Sequence, residues 1–76
     1  MNRNEFLECL DELLELPPGT VAAGDALERH GWSSVAVIGF LALADEKFGE
    51  APSPALLAKC RTADDLAALF PGRIAP

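Results

Sequence analysis

Apolar positions along this chain recur at helical rather than alternating spacing. Phe6, Leu7, Leu10, Leu13 and Leu14 fall on one face of a first helix, and Glu5, Glu8, Asp11, Glu12 and Glu15 occupy the remainder. Asn2 followed by Glu5 has the form of a capping box, so this helix opens at about residue 3. Pro17-Pro18-Gly19 ends it, because proline lacks an N–H and its ring collides with the preceding turn. The acid run reads either as a solvated face or as a docking face.

The second helix has another pattern. Val35 to Ala44 carries no polar side chain, so this element is either buried on nearly every side or offers an apolar face to a partner. Ser33 or Ser34 can cap its start, since a serine oxygen accepts a hydrogen bond from an unpaired first-turn N–H. Gly49 suits the left-handed residue that closes it. The run is half the length of about 20 residues that a bilayer span needs, so no membrane segment is expected.

Further along, Ser53 as cap and Pro54 at the first helical position begin a short helix reaching about Lys59. Thr62-Ala63-Asp64-Asp65 caps a final helix with Leu66, Leu69 and Phe70 as its buried stripe, closed by Pro71-Gly72. Residues 71–76 are expected to fray. The long connection from 17 to 33 should hold one helical turn near Asp25 to Arg29, pinned to the core by Leu27. Nothing alternates as a strand would. The expectation is an all-α fold, a single domain of three main helices plus a short one.

Composition narrows the function classes. Twelve acids against six bases give a net charge of −6, which opposes nucleic acid and anionic membranes and favours a partner with a basic docking surface. A helix-turn-helix DNA binder fits the helix count but not this charge. With 76 residues there is little room for an enzyme cleft. His30, the only histidine, reads as a surface loop residue with no acid or nucleophile arranged around it. Cys9 and Cys60 lack metal-type spacing and read as reduced, partly buried residues, with one disulfide as the alternative. No metal site is expected. The start, Met1-Asn2-Arg3-Asn4-Glu5, does not resemble a signal peptide, so cytoplasmic residence is the expectation.

The order of pieces then becomes informative. Gly31-Trp32-Ser33-Ser34-Val35, followed by Ala44-Asp45-Glu46-Lys47-Phe48-Gly49, Leu56-Leu57 and Thr62-Ala63-Asp64-Asp65-Leu66, resembles the acyl carrier protein family over about residues 4–70. The resemblance implies a small four-helix bundle with a long first loop. It implies that Ser34 receives the 4′-phosphopantetheine arm of coenzyme A, whose thiol carries acyl or aminoacyl groups as thioesters. Implied partners are a phosphopantetheinyl transferase and the acyl or aminoacyl ligases, synthases and transferases of fatty-acid, polyketide or nonribosomal peptide biosynthesis. A monomer is the family default.

Two positions depart from the family. Ser33 stands where the family has an aspartate that caps the helix and helps hold the magnesium ion used in transferring the arm. Serine caps nearly as well, but a neutral hydroxyl is a weak ligand for a hard cation. The rival reading is therefore a carrier-like docking or scaffold protein that is never modified. The family's second helix is often studded with acids, whereas here they occur only at Asp45 and Glu46. The expected partner face comprises Trp32, Val35, Ala36, Val37, Gly39, Asp45 and Glu46, with apolar contact outweighing charge steering. Trp32 either joins that face or packs the loop onto the core. Gly39 costs roughly 1 kcal/mol relative to alanine inside a helix, which close packing would explain.

Overall fold

Local signals account for where most elements start. The computed structural model describes residues 1–75. Helix α1 spans Arg3–Leu13, and Asn2 and Glu5 exchange the two hydrogen bonds of a full capping box, at 2.8 and 3.0 Å. Helix α2 spans Ser34–Phe48, with Ser33 as its cap and Gly49 closing it at φ 71°. Ser53 and Thr62 cap two short helices, α3 (Pro54–Ala58) and α4 (Ala63–Ala67). The all-α, four-helix expectation holds, and among the described residues no strand forms. The proportions differ, because α4 is a single turn and a half and stops before Leu69 and Phe70. These two still reach the core through the turns that follow.

The end of α1 also departs from expectation. The helix stops at Leu13, ahead of Pro17-Pro18. Glu15 takes the left-handed conformation at φ 59°, and the N–H groups of Glu15 and Leu16 donate back to the carbonyls of Glu12 and Asp11. This is a Schellman close with glutamate where glycine is usual. Asp11, grouped above with the solvated acids, is in fact 1% exposed. Its carboxylate accepts from the N–H of Gly19 and the N–H of Val21, each at 2.8 Å. A buried charge is tolerable when so bonded. It sets the direction in which the long loop leaves α1.

The rest of that loop is stapled to the α3–α4 junction. A 3₁₀ helix, Leu27–His30, takes the place of the expected turn, and Leu27 is buried as anticipated. Leu27 N–H donates to Arg61 C=O, Ala63 N–H to Asp25 C=O and Asp64 N–H to Ala23 C=O. His30 is a correction: it is not a free surface residue but is mostly covered and bonded to Asp25 at 3.0 Å.

Phe40, fully buried on α2, is the centre of the core. Its ring meets Phe6, Trp32 and Phe70 at centroid distances of 6.3, 5.9 and 6.1 Å, and Phe48 stacks on Phe70 at 4.4 Å. Truncating a ring so enclosed costs about 3–5 kcal/mol. The expectation that the tail from residue 71 frays is overturned as far as Ala75, and Pro76 lies outside the described residues. Ile74 packs on the core, Ala75 N–H donates to Met1 C=O at 2.9 Å, and Arg73 donates to the Phe48 carbonyl at 2.6 Å. Arg3 and Asp64 form an ion pair between α1 and α4.

Candidate functional site

The site is built on the start of α2. Ser33 has extended backbone (φ −135°, ψ 179°), and its hydroxyl accepts a long hydrogen bond, 3.4 Å, from the Ala36 N–H. The first intrahelical bond runs from Val37 N–H to Ser33 C=O. The capping role thus falls to Ser33, and the N–H groups of Ser34 and Val35 come before the helical ladder begins. Ser34 is the first residue of the helix and is exposed, so its hydroxyl is accessible from solvent. A fifteen-residue helix with no acid in its first turn presents the positive end of its dipole there, the environment that an anion favours.

A cavity of about 500 Å³ lies between the 3₁₀ turn, α2 and α3, lined chiefly by Trp32, Val37, Leu27, Leu57 and Cys60, with Glu28 and Arg61 supplying charge, and neither Ser33 nor Ser34 lines it. Trp32 is half-buried and edge-on to Phe40, so it packs the loop onto the core and also forms one wall. Cys60 and Cys9 are both free and half-buried. Burial raises the pKa of each thiol, opposed at Cys9 by Lys47 and reinforced at Cys60 by Asp65. Among the described residues no cluster of histidine, cysteine or carboxylate side chains could hold a metal ion.

A family model, phosphopantetheine attachment site, matches residues 4–70. The chain belongs to this family. Its members are carriers rather than catalysts, and the group they bear covalently is 4′-phosphopantetheine. No curated protein and no solved structure matches the chain. No helix is long and apolar enough to cross a membrane among the described residues.

The local structure suits that group. An exposed hydroxyl at a helix N-terminus, with unpaired N–H groups beside it, tolerates a phosphodiester that a buried serine would reject. Bound there, the arm would supply a thiol able to form thioesters.

The residues expected on the carrier's partner face do not all share it. Val35 is 79% exposed, and Asp45 and Glu46 are exposed as well. Ala36 is corrected: at 7% exposure it faces the core. Val37 turns toward the cavity, and Gly39 faces α1, where an added Cβ would come within 2.6 Å of Leu13 Cδ1. Two exposed apolar residues were missed, Ile38 at 68% and Leu56 at 48%. Ile38 was findable, because Val35, Ile38, Ala42 and Asp45 follow one another at three- and four-residue steps on a single helical face.

Proposed function

We propose that Ser34 is the attachment residue and that the protein shuttles acyl or aminoacyl groups, as thioesters on the arm, between biosynthetic enzymes in the cytoplasm. The observation that carries this reading is the exposed Ser34 hydroxyl at the head of α2, with Ser33 left to cap the helix. In the attachment reaction, Ser34 Oγ bonds to the phosphorus that bears the pantetheine. The bond from that phosphorus to the adenosine bisphosphate half of coenzyme A breaks, and the serine proton passes to a base on the transferase. Acyl or aminoacyl ligases, synthases and transferases would then load and unload the thiol of a monomeric carrier.

A second reading has one specific observation in its favour. Ser33 is neutral and the first turn of α2 holds no acid, so the carrier itself offers no carboxylate to a divalent cation next to Ser34. An unmodified docking protein would look the same.

Intact-protein mass spectrometry after incubation with coenzyme A, magnesium and a broad-specificity phosphopantetheinyl transferase separates the two. One phosphopantetheine adduct that fragmentation assigns to Ser34, and that Ser34→Ala abolishes, is the expected result. An adduct on Ser33 would shift the site by one residue. A folded protein that takes no adduct would overturn the carrier assignment of Ser34. If Ser33→Asp then accepts the arm, the missing carboxylate is the cause.

A further inference from the structure

The run that leads into Ser34 is only lightly held to the rest of the molecule. Earlier in the loop, Ala23 C=O, Asp25 C=O and Leu27 N–H all bond to residues 61–64. Beyond Leu27 this stapling ceases. The N–H groups of Arg29, Gly31 and Trp32 donate to carbonyls of residues 26–28, at 3.1, 3.5 and 3.3 Å. Among the described residues, no backbone group from Glu28 to Ser33 bonds to α1, α3 or α4. Gly31 adds freedom at the joint, since it is a left-handed glycine with open space where a Cβ would stand.

Two side chains anchor the run instead. Trp32 packs edge-on to Phe40. His30 turns back onto Asp25, with Nε2 at 3.0 Å from Oδ2 and both side chains mostly covered. An ionised carboxylate accepts and cannot donate, so Nε2 carries the proton. The same Oδ2 accepts from Ala22 N–H at 3.1 Å. Asp25 thus ties the end of the 3₁₀ turn to the part of the loop already stapled to the α3–α4 junction.

The helix start needs such a tie. Ser33 caps α2 through a single 3.4 Å bond, longer than a normal N–H···O contact, and the first turn holds no acid to add to it. A cap that weak does little to hold its own residue in the extended conformation. Once residues 28–33 slacken, Ser33 leaves its place and Ser34 joins a frayed helix end.

Resting on the carrier reading above, we propose that the Asp25–His30 pair positions Ser34 for attachment of the arm. Neither residue touches the serine. His30 fixes the end of the turn and Trp32 fixes the residue before the cap, and together they set the path by which Ser33 enters α2.

The test is the kinetics of a broad-specificity phosphopantetheinyl transferase, with coenzyme A and magnesium, on the wild type, His30→Ala and His30→Gln. Amide hydrogen exchange of the same unmodified proteins, followed by NMR in a urea series, runs beside it. His30→Ala should lower kcat/KM about tenfold, chiefly through KM, because the transferase must select molecules whose first turn is formed. Glutamine offers an N–H at similar reach and should restore most of that loss. The N–H groups of Ala36 and Val37, which bond to Ser33, should exchange about tenfold faster in His30→Ala, with little urea dependence, as local opening requires. The proposal is overturned if His30→Ala keeps kcat/KM within about twofold of wild type, or if His30→Gln is as impaired as His30→Ala. It is also overturned if Ala36 and Val37 open only with the urea dependence of the core amide of Phe40, which would make the pair a support of the whole fold. A wild type that takes no arm defeats the carrier reading instead. Exchange at Ala36 and Val37 in the same variants then decides by itself whether the pair holds the start of α2.

Discussion

Asp11→Ala should be among the most damaging single changes to a charged residue here, although Asp11 sits in a run of acids that otherwise faces water. Its carboxylate ties two N–H groups of the first loop at 2.8 Å, and Val21, one of those donors, is buried. A hydrogen bond to a charged group contributes about 1.5–3 kcal/mol, and a buried donor left unpaired costs about 1–3 kcal/mol. Gly19 is exposed, so water can replace its partner and that loss stays small. The two costs describe the same loss at Val21 and overlap; with the small loss at Gly19 the total is about 2–4 kcal/mol, against about 4–11 kcal/mol for a domain of this size. Asp11→Asn keeps an oxygen for Val21 and can turn its amide toward the exposed Gly19, so it should cost about half as much. Urea unfolding followed by Trp32 fluorescence and far-UV circular dichroism would read both variants. With a slope of about 1 kcal/mol per molar, the alanine midpoint should fall by about 2–4 M. Amide exchange at Val21 should speed up well before the core opens. An alanine variant that loses less than about 1 kcal/mol, or an asparagine variant as damaged as alanine, would refute the claim that this carboxylate anchors the loop.

Other positions yield sharper signs than sizes. Glu15→Gly should raise stability by about 0.5–1 kcal/mol in the same urea assay, since Glu15 holds a left-handed conformation at φ 59° that glycine adopts without a Cβ conflict. Gly39→Ala should leave stability within about 1 kcal/mol of wild type, because the new methyl meets only the tip of the half-buried Leu13 side chain, at 2.6 Å, whose displacement offsets the better helix propensity, and in a Leu13→Ala background the same change should stabilise by about 1 kcal/mol. The hydrogen bond from His30, then the Ala22 N–H, holds the Asp25 carboxyl below its ordinary value of 3.8. A depressed acid stabilises the fold fully above its unfolded value and loses that contribution as pH falls through the folded one. Wild-type stability should therefore drop more steeply below pH 3.8 than that of Asp25→Asn, measured as urea midpoints across an acid series.

What the chain declares about itself depends on distance along it. The capping boxes at Asn2/Glu5 and Thr62/Asp65, the caps at Ser33 and Ser53 and the close at Gly49 all involve residues within one turn of each other, and each is legible. Asp11 was misread because its partners stand eight and ten residues further on, across a loop whose path no local rule sets. The pinned tail was hidden for the same reason, as Ala75 bonds to Met1. The site divides likewise. The start of an apolar helix marks Ser33 and Ser34 as alternative caps, and only the family resemblance singles out Ser34 for the arm, whereas that same uniform apolarity concealed which side of α2 is covered. With no polar residue between Val35 and Ala44 to mark the outer face, Ala36 and Gly39 looked equivalent to Val35. The three- and four-residue steps back from Asp45 hint at the outer face, and the packing of Phe40 and Leu13 tells the residues apart.

The clasp between the chain ends has a practical meaning for handling the molecule. Met1 and Ala75 lie side by side, and Arg73 holds that pair near the Phe48 end of α2, about 21 Å along the helix axis from Ser34. A tether added at either end emerges on the side remote from the serine. Immobilised on a sensor surface through Met1 or Ala75, the protein would present the same end of α2 outward, so either attachment should give equivalent association rates for the transferase.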